Sequence, residues 1–416
     1  MKIKLIYPSW PKLKFQPKFN LPPHGPIVFA ATLPEEVEVD FTDENVETIN
    51  FDTNADLIAL SVMLTCQMPR AWEIADEFRA RNKTVIFGGI ATMLHSEEVT
   101  AHADSVILGE VEGHINLVLD DFKRGKLKKI YNFRGNFPDT SIIKPARRDL
   151  LKGDLYKFRD VRMVDLVHAS RGCRFNCFPC CTPYLGGRAF RPRPIDKFIE
   201  ELETINNNRL FIVDNSLAQD DEWEKKLFKA MIPLKKKWIS HPIKDDDEIL
   251  DLAAEAGCWY VYQAIFDTSD YIRKRIKRLK ERGIGVEGTI ILGTDEHDED
   301  YIKRLVDFLM DVELDLAEFT ILTPFPHSNI CSSLKKQNRI LHYDWEKYTA
   351  DKVVFKPAKM TPDKLQEMYE YAWKSFYSDC SIELKMAKLY IDVIKKEKLD
   401  NTYIPHDTSN RVTWGK

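Results

Sequence analysis

The chain has 416 residues, 44% of them hydrophobic and 30% charged, with a formal net charge of −4 at pH 7. Its length allows two or three domains, and its composition is that of a globular protein, not of a disordered or fibrous one. The small net charge gives no reason to expect nucleic acid or a membrane as partner. No apolar run approaches the roughly 18–20 residues that span a bilayer, and the opening Met1-Lys2-Ile3-Lys4 does not read as a signal peptide. The protein is expected to be cytoplasmic and its eight cysteines to be thiols instead of a disulfide framework.

Residues 1–150 read as alternating strands and helices. Lys2–Tyr7 is a short apolar strand, and Asp56–Met63 is a near-continuous apolar run of the kind buried parallel strands show. Arg70–Arg81 has helical spacing. Thr84–Phe87 and Ser105–Leu108 are further strands, ending in Gly88-Gly89 and Gly109-Glu110. This rhythm predicts a doubly wound parallel α/β sheet, with ligands beyond the carboxyl ends of its strands. A linker of mixed composition follows at about 125–160.

Residues 151–335 form a second α/β unit. Val164–His168 leads straight into a cysteine-rich loop. Strands are expected at Leu210–Val213, Trp238–Ser240, Trp259–Ile265, Glu287–Leu292 and Glu318–Leu322, with helices between them. Six βα repeats are too few for an eight-fold barrel and match a (βα)6 partial barrel. Residues 336–416 read as a small, mainly helical region, with Thr361-Pro362 a clear helix start.

The loop 171–181 reads Arg-Gly-Cys-Arg-Phe-Asn-Cys-Phe-Pro-Cys-Cys. Cys173, Cys177 and Cys180, spaced Cys-x3-Cys-x2-Cys, can hold three irons of a [4Fe–4S] cluster and leave the fourth open to a small molecule. A structural zinc site would need a fourth ligand, usually in a second pair, and Cys258, Cys331 and Cys380 are isolated. Cys181 reads as a spare, buried thiol.

With the strand before it and the barrel rhythm after it, this loop resembles that of radical S-adenosylmethionine (SAM) enzymes. Leu21–Gly25, Ser61–Met63 with Thr65, Phe87–Gly89 and Leu108–Glu112 resemble recurring segments of the cobalamin-dependent (class B) radical SAM methyltransferases. So do Phe319–Pro326, Asp344-Trp345, Val353–Pro357 and Met360–Pro362. The resemblance implies a Rossmann-like cobalamin-binding domain before the radical SAM barrel, and three cofactors: the cluster, SAM and cobalamin (methylcobalamin). It also implies an electron donor such as ferredoxin or flavodoxin, and methylation of an unactivated carbon after hydrogen abstraction by a 5′-deoxyadenosyl radical.

By the same resemblance, Cys173, Cys177 and Cys180 are the catalytic cluster ligands, and Asp214, Asn215, Gln263 and Ile291 meet SAM. Cobalamin is expected against Leu64, Thr65, Cys66, Gln67, Gly88, Gly89, Ile90, Gly109, Glu110 and Glu112. Relatives often carry Glu-Ser where this chain has Phe266-Asp267. No Asp-x-His-x-x-Gly motif supplies a histidine to cobalt, so His24, His95, His102 and His114 read as surface or internally satisfied residues. The expected substrate is a glutamine of methyl-coenzyme M reductase. The alternatives are an oxidative cyclase, a hopanoid-type C-methylase, or a non-catalytic corrinoid or iron–sulfur protein.

Overall fold

A computed structural model describes residues 1–16, 20–158 and 161–404. The first six strands form one parallel sheet in the order β2-β1-β3-β4-β5-β6. They are β1 (Lys2–Tyr7), β2 (Glu38–Asp43), β3 (Leu57–Ser61), β4 (Thr84–Gly88), β5 (Ser105–Leu108) and β6 (Ile130–Asn132). The helices are α1 (His24–Thr32), α2 (Met68–Ala80), α3 (Ile90–Leu94), α4 (Ser96–His102) and α5 (Ile115–Lys123). One core packs α2 and α4 on one face of this sheet through Ile58, Leu60, Ile74 and Phe78. A second packs α1 and α5 on the other through Ile3, Leu5, Ala30 and Val118. Central strands buried on both faces explain the apolar run at Leu57–Leu60.

Two short antiparallel ribbons follow, β7 (Lys157–Phe158) with β8 (Val161–Arg162) and β10 (Ser170–Arg171) with β11 (Arg191–Pro192). The second clasps the cysteine loop. The second parallel sheet has the order β16-β15-β14-β13-β12-β9. Its strands are β9 (Asp165–Val167), β12 (Arg209–Ile212), β13 (Lys237–Ser240), β14 (Cys258–Ala264), β15 (Gly285–Leu292) and β16 (Leu316–Ile321). In chain order, α6 (Thr182–Gly186), α7 (Ile195–Thr204), α8 (Asp221–Met231), α9 (Asp247–Glu255), α10 (Asp270–Glu281) and α11 (Glu299–Asp311) connect them. The side chains of Asp220, Asp246, Ser269 and Asp298 cap α8 to α11 by accepting from backbone N–H groups of the first turn.

The two faces of this sheet are distinct. Val261, Val286, Ile290, Ala317 and Phe319 meet the helices. Phe211, Ile239, Tyr260 and Leu316 belong to a separate inner cluster that also takes in Met163 and Val164 beside β9. Groups from both edges thus meet across the inner face, so the sheet curls around it. Helices α12 (Asn329–Lys336), α13 (Pro362–Phe376) and α14 (Ile382–Leu399) complete the chain. Leu365, Met368 and Trp373 of α13 join the outer core, while Met386 and Val393 of α14 plug the inner cluster. The C-terminal helices are therefore part of the barrel's packing. No helix among the described residues is long and apolar enough to cross a membrane.

Candidate active site

The carboxyl ends of the two sheets face one another across a cavity of about 390 Å³. From the first sheet it is lined by Ser61, Gly88, Gly89, Ile90, Gly109, Glu110, Val111 and Glu112, and from the second by His168, Ser170, Val213, Asp214 and Asn215. Gly172, Thr182, Leu185 and Gly186 bring in the cysteine loop. Six of the ten residues expected at cobalamin, Gly88 to Ile90 with Gly109, Glu110 and Glu112, therefore border the same space as Asp214 and Asn215.

The glycines differ in role. Gly89 has φ +101°, and a Cβ there would lie 2.4 Å from the Val62 carbonyl oxygen. Gly109 has the same φ, and its Cβ would lie 2.7 Å from the Phe133 carbonyl carbon. Both are required by the close approach of neighbouring backbone. Gly88 has nothing within 4 Å of a Cβ position, so of the three it is the one that leaves open room in the cavity.

Four of the residues expected at cobalamin do not line this cavity. Thr65, Cys66 and Gln67 are buried in a tight turn packed against the turn at Trp345–Lys347, and Leu64, at the head of that turn, does not line the cavity. The Gln67 amide donates to the Pro8 carbonyl at 2.5 Å and accepts from the Met63 and Leu64 N–H groups. Thr65 Oγ1 lies 3.2 Å from His95 Nε2. Internal hydrogen bonding pulls this turn into the protein.

Glu110 and Glu112 are bound by barrel arginines. Arg171 donates to Glu110 at 2.9 Å and to Glu112 at 2.5 Å, and Arg191 donates to both oxygens of Glu110. Burial opposes ionisation of Glu110, yet Arg191 and Arg171 hold its carboxyl below the usual carboxylate range. This cluster ties the loop after β5 to the ribbon that clasps the cysteines.

Cys173 is buried, Cys177 and Cys180 are exposed and Cys181 is half-buried. Burial, and the nearby Cys180 and Cys177, push the Cys173 thiol up. Among the described residues no three metal-ligating side chains converge on a single-ion site. Three thiols, two of them exposed on one short loop beside a cavity, nevertheless suit a cluster held on three separate irons. Gln219, fully buried, holds this loop by accepting from the Arg174 N–H at 2.9 Å and donating to the Gly172 carbonyl.

Asp214 is fixed within the wall. It accepts from the Ala169 N–H at 2.8 Å and from the Ser170 hydroxyl, and burial raises its carboxyl to about 6. Asn215 Oδ1 accepts from the Thr182 hydroxyl at 3.4 Å. Ile291 lines a second cavity of about 560 Å³ with Phe178 of the cysteine loop, Phe266, His297 and Tyr301. Gln263 lines neither cavity. It shares the outer face of β14 with Val261, where its side-chain oxygen accepts from Arg275 of α10 at 3.3 Å. Strand alternation gives the inner face to Tyr262 instead.

His24 also departs from expectation. Its Nε2 lies 2.9 Å from His168 Nδ1, joining α1 to the end of β9. Burial pushes both imidazoles down, His24 to about 3. Among the described residues His24 Nδ1 and His168 Nε2 have no partner, and both residues line the first cavity. Their position at Pro22-Pro23-His24-Gly25 and just before the cysteine loop was the available sequence signal. The other three histidines are satisfied internally: His95 by Glu98, His102 by Asp76 and His114 by Asn136.

No family model matches the chain. It is 26% identical over 386 residues to the bacteriochlorophyllide d C-12(1)-methyltransferase of Chlorobaculum tepidum, covering 86% of this chain and 84% of that protein. It is also 26% identical over 423 residues to the C-8(2)-methyltransferase of the same organism, covering 93% and 89%. Among solved structures it resembles the radical S-adenosylmethionine methyltransferase TsrM from Kitasatospora setae, with a TM-score of 0.64 over 88% of this chain and 83% of that one. At 16% sequence identity that likeness is one of fold, and the chain shares with TsrM an α/β architecture of parallel sheets.

Proposed function

We propose that the chain is a cobalamin-dependent radical SAM C-methyltransferase. The observation that carries this reading is the meeting of the three-cysteine loop and the glycine-lined edge of the first sheet at one cavity. The curated relatives are methyltransferases by name, and TsrM has been solved with cobalamin and a [4Fe–4S] cluster and with a SAM analogue. When bound, the cluster supplies the electron that cleaves SAM, and cobalamin supplies the methyl group.

The residues present fit these groups. Cys173, Cys177 and Cys180 would hold the cluster. The open space at Gly88, the apolar walls of Leu60, Phe87 and Ile107, and the unpartnered His24 Nδ1 and His168 Nε2 suit a large, mostly apolar macrocycle with a polar rim. Asp214 steadies the backbone at the start of the cysteine loop. Arg171 and Arg191 keep that loop in register with the first sheet, and the apolar lining excludes water from the reacting groups. Ile291, Phe266 and Phe178 form an apolar recess suited to a nucleoside.

The relatives' names give a bacteriochlorophyllide as substrate, and TsrM was solved with tryptophan. None of them is named for a peptide. The glutamine of methyl-coenzyme M reductase thus rests on the sequence resemblance alone, beside the cyclase and hopanoid-type alternatives; ferredoxin or flavodoxin is the proposed reductant.

The test is anaerobic reconstitution with iron, sulfide and hydroxocobalamin. About four irons, retained corrin and reductant-dependent 5′-deoxyadenosine are expected. SAM cleavage without retained corrin would remove the methyltransferase reading, and failure to bind iron would remove the radical one.

A further inference from the structure

The curled inner face of the second sheet carries two carboxyl groups that the chemistry above leaves unused. On β15, Val286, Ile290 and Leu292 pack outward against the helices, so Glu287 and Thr289 point inward. On β16 the same alternation turns Glu318 and Thr320 inward, between Ala317, Phe319 and Ile321. Tyr262 lies beside Glu287, and Thr289 lies beside Glu318, in the strand register. The inward residues keep accessible surface while their outward neighbours have essentially none. The inner face is therefore not packed solid at this level.

Among the described residues each carboxyl has one hydrogen-bond partner. Tyr260 donates its hydroxyl to Glu287 Oε2, and Gln16 donates its amide to Glu318 Oε1 at 2.9 Å. Glu287 Oε1 and Glu318 Oε2 have none among the described residues. The groups acting on the pair are Tyr260, Gln16 and the two carboxyls themselves, and among the described residues no lysine or arginine compensates them. Tyr262, Tyr377 and Tyr390 complete the titratable surroundings.

Two further groups point to a ligand. His241 Nδ1 lies 2.6 Å from the Asp214 carbonyl oxygen. A carbonyl only accepts, so Nδ1 carries the proton and Nε2 presents a lone pair. The ring packs on Phe211 and Tyr262 of the inner cluster, and among the described residues His241 hydrogen-bonds only through Nδ1. The Tyr262 hydroxyl likewise has no hydrogen-bond partner among the described residues. Among the described residues no cation faces this chamber, and burial together with the repulsion between the two carboxyls raises both, so that Glu287 keeps its proton to about 8. Buried charge is ordinarily paired.

We infer that this chamber receives the substrate through a cationic nitrogen group, an ammonium or guanidinium, held between Glu287 and Glu318. A neutral amide such as glutamine's would satisfy an acceptor but could not form the ion pair that a cation makes as the carboxyls give up a proton. A tetrapyrrole's carboxylates would add further acids and offer the pair no counter-charge. The inference rests on the methyltransferase reading and favours, within it, an amine- or guanidine-bearing small molecule or side chain.

The test uses the reconstituted full chain and calorimetric titration with n-butylguanidinium, n-butylammonium and the neutral isostere n-butylurea. Both cations should bind about tenfold or more tighter than the urea, since charge-assisted hydrogen bonds exceed neutral ones. Binding should release protons, read from two buffers of different ionisation heat. Glu287→Gln and Glu318→Gln should each lose most of the preference, with circular dichroism to certify folding. Equal binding of the urea, no saturable binding of either cation, or an unchanged preference in both variants would overturn the proposal. The parent's SAM cleavage is scored separately. Its loss bears on the radical reading, whereas lost cation preference in a protein that cleaves SAM bears on the chamber alone.

Discussion

Replacing Glu287 by Gln should stabilise the protein at alkaline pH and leave it nearly unchanged at acid pH. Burial, with the charge of Glu318 adding to it, raises the Glu287 carboxyl from 4.5 to about 8. The unfolded chain releases this proton near 4.5 while the folded chain keeps it to about 8. Stability from this group is therefore complete below 4.5, falls as pH rises between those values, and stays low above. At about 1.4 kcal/mol per pH decade the ceiling is roughly 5 kcal/mol. Glu318 shares the proton, so about 2–3 kcal/mol is the expected gain for Glu287→Gln alone. The glutamine oxygen still accepts from Tyr260, so the swap removes charge and little packing. In a unit of barrel size, 1 kcal/mol moves Tm by about 2–4 °C. The difference in Tm between variant and parent should therefore grow by about 5–10 °C from pH 5 to pH 9. Differential scanning calorimetry at the two pH values checks this, because every other titrating group is common to both proteins. Parallel curves would show that Glu287 ionises freely and that the inner face is open to bulk water.

Five other substitutions separate roles within the site. Cys177→Ala should lose reconstitutable iron and abolish 5′-deoxyadenosine, read by iron assay and chromatography. Gly89→Ala should cost about 1–3 kcal/mol, because a side chain at positive φ would also meet the Val62 carbonyl; Gly88→Ala should leave Tm unchanged and weaken corrin retention instead. Glu110→Gln leaves Arg191 without its counter-charge in a half-buried site, while Arg171 keeps Glu112, and should lower Tm by an amount matching about 1–3 kcal/mol. Gln263→Ala should leave SAM affinity by equilibrium dialysis unchanged, since its side chain faces α10; a large loss would show that it turns inward.

What could be read from the sequence follows from how local each signal is. The cysteine spacing is set by chain connectivity, so Cys173, Cys177 and Cys180 were recognisable without the fold. The inner strands of the first sheet announce themselves because burial on both faces demands uninterrupted apolar residues. Edge strands have no such demand. β2, with Glu38-Val39-Asp40-Phe41-Thr42-Asp43, and the three-residue β6 were missed for that reason.

Burial on both faces also removes the alternation that would show which way a side chain points. Cys258–Ala264 reads Cys-Trp-Tyr-Val-Tyr-Gln-Ala, and only the curl of the sheet assigns Tyr262 inward and Gln263 outward. Contacts between distant segments are less visible still. His24 and His168 are 144 positions apart, and Arg171 and Arg191 meet Glu110 across 61 and 81. Each lay beside a segment whose pattern was recognised, yet nothing in that pattern names its partner. The residues that join the two sheets are thus the ones that only the three-dimensional arrangement reveals, and they decide how the cysteine loop faces the cavity.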